Sequence, residues 1–199
     1  MRRRSPTPLR RELDEVRALC YWVREQIYSV PEGLRRAQAT TAIAAAASEE
    51  AFRISDQLPH INNETSAAWR RSLENVWALL AGDTSQHYEL SASIADFLTS
   101  PLNHIEGQDG PNDFDRPQTI ASYSAALSAV AWGVDFAVTA VMQIFELLDL
   151  KYDTEMTPER AAEVAQVVRR VKRWVSLVVN NDASAVGDLS SEIIADLRR

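Results

Sequence analysis

The chain reads as an all-α, single-domain antiparallel bundle of about seven helices around a central apolar helix at about 119–150. Three observations carry this. Residues 120–150, IASYSAALSAVAWGVDFAVTAVMQIFELLDL, are nearly free of charge, and a segment apolar on most of its circumference has to be surrounded. The flanking segments place apolar residues three and four apart, the period of a helix with one buried face. Only 6 Gly and 8 Pro in 199 residues interrupt these runs, and no run reads convincingly as a strand.

The elements follow in order. Residues 1–8 form a flexible basic arm, and 9–199 the helical domain. Thr7-Pro8 supplies a cap followed by proline at the first helical position, where its missing N–H costs nothing. Leu9, Leu13, Val16, Cys20, Val23 and Ile27 then make one stripe of a first helix to about residue 28. Ser29-Val30-Pro31 starts a second helix, which carries the block TTAIAAAASEEAF to about residue 57. Its run of alanines suits close approach of a neighbouring backbone. A third helix over 64–81 buries Trp69, Leu73, Val76, Trp77 and Leu80. A shorter one over 85–99 buries Tyr88, Leu90, Ile94, Phe97 and Leu98. After the irregular stretch 100–117 comes the apolar helix. Thr157-Pro158 opens a sixth, with Ala161, Val164, Val168, Val171, Val175 and Val178 inside and Arg169, Arg170, Lys172 and Arg173 outside. A last helix over 184–198 closes the chain.

Composition narrows the function classes. A 46% hydrophobic and 25% charged share is that of an ordinary soluble protein. The single cysteine, Cys20, rules out an intramolecular disulfide framework and suits a reducing compartment, so a cytoplasmic location is expected. Cys20 lies in LCYWV and reads as a small buried hydrophobe. The formal charge of -7 disfavours nucleic acid and suits a basic partner. Residues 120–150 are long enough to span a membrane. They hold Asp135, Gln143, Glu146 and Asp149, however, and favour a buried helix with no membrane partner.

No residue cluster has the spacing of a catalytic or metal site, so no cofactor is expected. His60, His87 and His104 are scattered, and zinc needs three or four ligands. Asp109, Asn112, Asp113 and Asp115 have the composition of a calcium loop without its alternating ligands or closing glutamate. Glu12, Asp14 and Glu15, with Glu49 and Glu50, match the acids of helical nucleotide pyrophosphatases but lack the second pair. Arg2, Arg3, Arg4, Arg10 and Arg11 raise DNA binding, yet the following helices have the wrong shape for a helix-turn-helix. Asp135 is the most unusual residue: inside an apolar helix its carboxylate must be paired or protonated. Arg53 or Arg70 is the expected partner. A polar cleft around Asp135, Trp132 and Tyr123, serving a small ligand or a metal-dependent helical enzyme, is the alternative. Self-association through exposed tryptophans such as Trp22 or Trp174 is a third option.

Three segments together resemble the YjaG-like family of uncharacterised all-helical bacterial proteins and its neighbours among polymorphic-toxin immunity proteins. They are TAIAAAASEEAFRISDQLP, WRRSLENVWALLAG with Trp77, and FDRPQTIASYSAALSAVAWGVD. The resemblance implies a small bacterial protein without catalysis, some relatives of which bind and neutralise a toxin domain made by the same cell. An acidic surface steers association with a basic nuclease-type toxin. On this expectation Glu106, Asp109, Asp113 and Asp115 are the partner-binding residues.

Overall fold

Seven consecutive residues, 42–48, are each buried to within 2% of full enclosure. A helix turns once in about 3.6 residues, so an unbroken buried run of this length is covered on every side. These residues lie in α2 (Leu34–Ser55), the second of five helices among the residues that the computed structural model describes, 8–58, 63–80, 133–153 and 155–180. The others are α1 (Pro8–Ser29), α3 (Asn63–Leu80), α4 (Val134–Lys151) and α5 (Pro158–Asn180). The protein is all-α, with no strand among the described residues.

Among the described residues the helix enclosed on every side is therefore α2, and α4, the described part of the apolar segment expected at 119–150, is not. Helix α2 touches all four others, α4 most extensively, then α3 and α5. The small side chains of Ala42, Ala44, Ala45, Ala46 and Ala47 let those neighbours approach closely from all directions. The expected continuous helix over 119–150 is also corrected. Gly133 is extended (φ -119, ψ 149), and α4 begins after it at Val134. One side of α4 faces outward, leaving Phe136 45% and Met142 41% exposed. The helices expected over 85–99 and 184–198 lie outside the described residues.

Each junction has a local cause. Between α1 and α2, Gly33 caps the second helix at φ 109, while Arg36 Nε donates to Val30 O at 3.0 Å. Helix α2 thus starts three residues later than Pro31 suggests. Helix α3 is stitched to α2 by its tryptophans. Trp69 Nε1 donates to Ser48 Oγ at 2.7 Å, its ring meets Phe52 edge-on at 5.3 Å, and Trp77 Nε1 donates to Glu49 at 3.1 Å.

Helix α5 starts as its Thr-Pro sequence predicts. Thr157 Oγ1 accepts from the backbone N–H of Arg160 at 3.1 Å, which satisfies one of the first-turn donors a helix leaves free. Val164, Val168, Val171, Val175 and Val178 are buried, joined by Val167 and Trp174; Ala161 is exposed. Trp174, expected as an exposed self-association residue, is 2% exposed because it falls within that valine stripe. Trp22 is half-buried against the core.

Two carboxylates, Glu50 and the partly buried Glu163, tie α2 to its neighbours. Glu50, fully enclosed, accepts from Arg53 at 2.7 Å and Arg170 at 3.1 Å. Glu163 accepts from Arg53 at 3.3 Å, Lys151 at 2.6 Å and the Tyr152 hydroxyl at 2.7 Å. These pairs, with Arg35 Nη2 donating to Val179 O, run α2 and α5 antiparallel. Arg170 was expected on an outer face; it reaches inward instead to neutralise Glu50. No helix among the described residues is long and apolar enough to cross a membrane.

Candidate functional site

Helices α1 and α4 also run antiparallel, and their ends are marked by charge. Arg24 pairs with Asp135 at 2.7 Å near the close of α1. At its start Glu12 approaches Asp149, both held by Arg160 from α5. Between these ends lies a groove of about 610 Å³. From Glu12 to Arg24 it extends about 18 Å, at 1.5 Å of rise per helical residue. Val16, Cys20, Val138 and Phe145 give it an apolar lining, and Leu13, Tyr21 and Met142 stand more exposed around it. Leu13, expected inside, is 48% exposed because the buried stripe of α1 runs through Leu19, Val23 and Ile27, rotated away from it.

The inner end is the unusual part. Arg160 is 2% exposed and forms two ion pairs, with Glu12 at 2.6 Å and Asp149 at 2.9 Å. Nε adds contacts of 3.3 and 3.2 Å to the two Glu12 oxygens. Burial works against the charged guanidinium, but the hydrogen bonds to Glu12 and Asp149 more than offset it and hold Arg160 above its ordinary range. Nη1 is buried and has no hydrogen-bond partner among the described residues. A buried donor left unmatched costs about 1–3 kcal/mol, more when charged. Glu146 lines the same region and accepts from Gln143 Nε2 at 3.1 Å.

The thiol and two carboxylates of the groove are each constrained by their surroundings. Burial raises the Cys20 thiol to about 11, with Arg24 pulling weakly the other way, so the thiolate needed for attack is scarce at neutral pH. Glu12 and Asp149 are occupied by Arg160. Among the described residues no three His, Cys, Asp or Glu side chains assemble in a way that could hold a metal ion.

The sequence-derived candidates fare unevenly. Glu106, Asp109, Asp113 and Asp115 lie outside the described residues, as do His60, His87, His104, Tyr123 and Trp132. Asp135 is corrected: its side chain is 81% exposed and pairs with Arg24, not Arg53 or Arg70. The break at Gly133 puts it in the first turn of α4, on the open side, where a carboxylate also complements the helix dipole. Glu12, Glu49 and Glu50 do not face one another as a metal-binding set. Glu12 pairs with Arg160, Glu49 accepts from Trp77, and Glu50 is locked between Arg53 and Arg170. Arg160 was missed, although its signal is in the sequence. It precedes Val164, Val168 and Val171 at the same spacing of four, four and three, so it occupies a buried position of that stripe.

Comparison with known proteins finds no match: no family model, curated protein or solved structure aligns significantly with the chain.

Proposed function

We propose that this is a non-catalytic binding protein whose α1–α4 groove takes one elongated, largely apolar small molecule. The observation that carries the reading is the apolar groove of about 610 Å³ ending at a buried arginine with an unmatched donor. Small-molecule sites have this form: about 300–1,000 Å³, mostly apolar, with a few fixed polar groups. The high thiol pKa of Cys20 and the paired state of Glu12 and Asp149 support binding over turnover.

The test is a titration with N-phenyl-1-naphthylamine, an uncharged dye that brightens in apolar surroundings. Saturable one-to-one binding is expected for the wild type, and its loss is expected in Met142→Trp, where the indole fills the groove. Unsaturable binding, or binding untouched by Met142→Trp in a protein of unchanged helix content, would sink the reading.

The net charge of -7 favours a second reading. In it the acidic run containing Glu106, Asp109, Asp113 and Asp115 binds a basic toxin domain, and the protein acts in the cytoplasm as an immunity protein. Helices over 85–99 and 184–198 then complete a seven-helix bundle beside that surface. A pull-down with the product of the adjacent gene decides it: no capture and no protection of toxin-expressing cells defeats it.

A further inference from the structure

We infer that the groove is completed by a second copy of this chain, laid over it by a two-fold axis with Arg17 of each copy paired to Glu146 of the other. The inference rests on the groove being a small-molecule site and adds what roofs it. Such sites enclose about 70–90% of a ligand's surface. This one is open along its length: Leu13, Tyr21 and Met142, which line it, are 48%, 69% and 41% exposed. Apolar side chains clustered in water at the mouth of an apolar site mark a surface with a partner to meet.

Charge identifies that partner. The chain carries a net charge of -7, so two copies repel except across a face that is locally balanced. The described lining of the groove is such a face, with Glu12, Glu146 and Asp149 against Arg17, Arg24 and Arg160. Four of these six are matched within one copy: Arg160 holds Glu12 and Asp149, and Arg24 holds Asp135. The two left over are of opposite sign. Arg17 is exposed and has no carboxylate partner among the described residues. Glu146 accepts from the neutral amide of Gln143 rather than from a cation. They stand on opposite walls, Arg17 five residues in from Glu12 and Glu146 three in from Asp149, so their levels differ by about 3 Å. An odd cation and an odd anion across one antiparallel helix pair suit an isologous contact. A two-fold through the middle of the groove lays each α1 over the other copy's α4 and each Arg17 over the other copy's Glu146. A strongly basic partner fits the net charge of the chain but not this balanced lining. The contact is two helices wide and about 18 Å long, small for a permanent interface, so the dimer is a weak one that ligand tightens.

The experiment is analytical ultracentrifugation of the full-length protein over a concentration series. Wild type, Arg17→Glu, Glu146→Arg and an equimolar mixture of the two variants are compared. The wild type is expected to pass from monomer to dimer. Each variant alone sets like charges opposite each other and is expected to dimerise about tenfold more weakly, or less still. The mixture restores both pairs, so it is expected to recover wild-type association as a heterodimer. Recovery on mixing reads a contact between copies, which a destabilised variant cannot imitate. N-phenyl-1-naphthylamine is expected to tighten the wild-type dimer, because the roof closes over bound ligand. A wild type that binds the dye yet stays monomeric at every concentration overturns the second copy and leaves the groove reading intact. Variants that dimerise as the wild type does, or a mixture that recovers nothing, overturn the pairing. A dimer that the dye disperses makes the copy itself the occupant and overturns the roofed site. A dimer that binds no dye overturns the groove reading as well. The wild-type series needs no substitution, so it stands even if a variant folds poorly.

Discussion

Gly33 shows how a single backbone angle can matter where no contact does. Its φ of 109 and ψ of -152 lie in a region that essentially only glycine occupies. A Cβ built there meets nothing within 4 Å, so sterics with neighbours predict a harmless change. The dihedral predicts otherwise: Gly33→Ala should cost about 1–3 kcal/mol, read as a lower urea midpoint at unchanged slope. A neutral result would mean that the turn between α1 and α2 relaxes to an ordinary conformation. Arg160 and Glu50 are the opposite case, residues whose whole significance lies in contacts. Each sits in phase with an apolar stripe, is enclosed by it, and is held by partners from other helices.

At the level of the helix, hydropathy and enclosure part company. Helix α4 is the more apolar, yet it leaves Phe136 and Met142 open. Helix α2 contains Arg35, Arg36, Gln38, Glu49 and Glu50 and still has 14 buried positions of its 22. Burial falls to the helix that neighbours can surround, and alanine permits that because it keeps interhelical distances short. A small residue in such a place has no room to grow. Ala45→Leu, at a fully buried site, is expected to destabilise by about 1–3 kcal/mol through overpacking. Phe136→Ser on α4, a far larger chemical change, should cost about 1 kcal/mol or less, since nearly half the side chain is already in water. Paired chemical melts measure the contrast, and the reverse order would return the central position to α4.

Across the whole molecule, Glu163 joins three helices and the turn after α4 through Arg53, Lys151 and Tyr152. Burial pushes its carboxyl up, but hydrogen bonds from Lys151 and Tyr152 and the nearby charges outweigh this and hold it below its ordinary value of 4.5. A carboxyl depressed by folding contributes stability that is complete above the unfolded value and disappears as pH falls through the folded one. The wild type should therefore lose stability more steeply than Glu163→Gln below pH 4.5, with similar slopes above it, as urea midpoints against pH will read. Identical acid slopes would show that Glu163 carries none of this linkage. At the alkaline limit its partner behaves in the complementary way. The hydrogen bond to Glu163, then burial, raises the Tyr152 hydroxyl to about 12, so that contribution is present below the unfolded value of 10.0 and is lost only as pH rises through about 12.

Local pattern was sufficient for the helical class, the ends of α1 and α3, the Thr-Pro start of α5 and the buried valines, because cap chemistry and 3.6-residue periodicity act within one segment. It was insufficient for which helix is enclosed, since that depends on how closely separate segments approach, and neither Ala45 nor Phe136 carries that distance in its own identity. The same limit applies to the groove. Glu12, Asp149 and Arg160 are 148 and 11 positions apart along the chain, and their meeting follows from α1, α4 and α5 converging at one end. Asp135 drew attention as a charge in an apolar run, whereas the break at Gly133 turned it outward to Arg24. Periodicity reports how a helix divides inside from outside; only packing brings Glu12 and Asp149 from two other helices to one buried guanidinium.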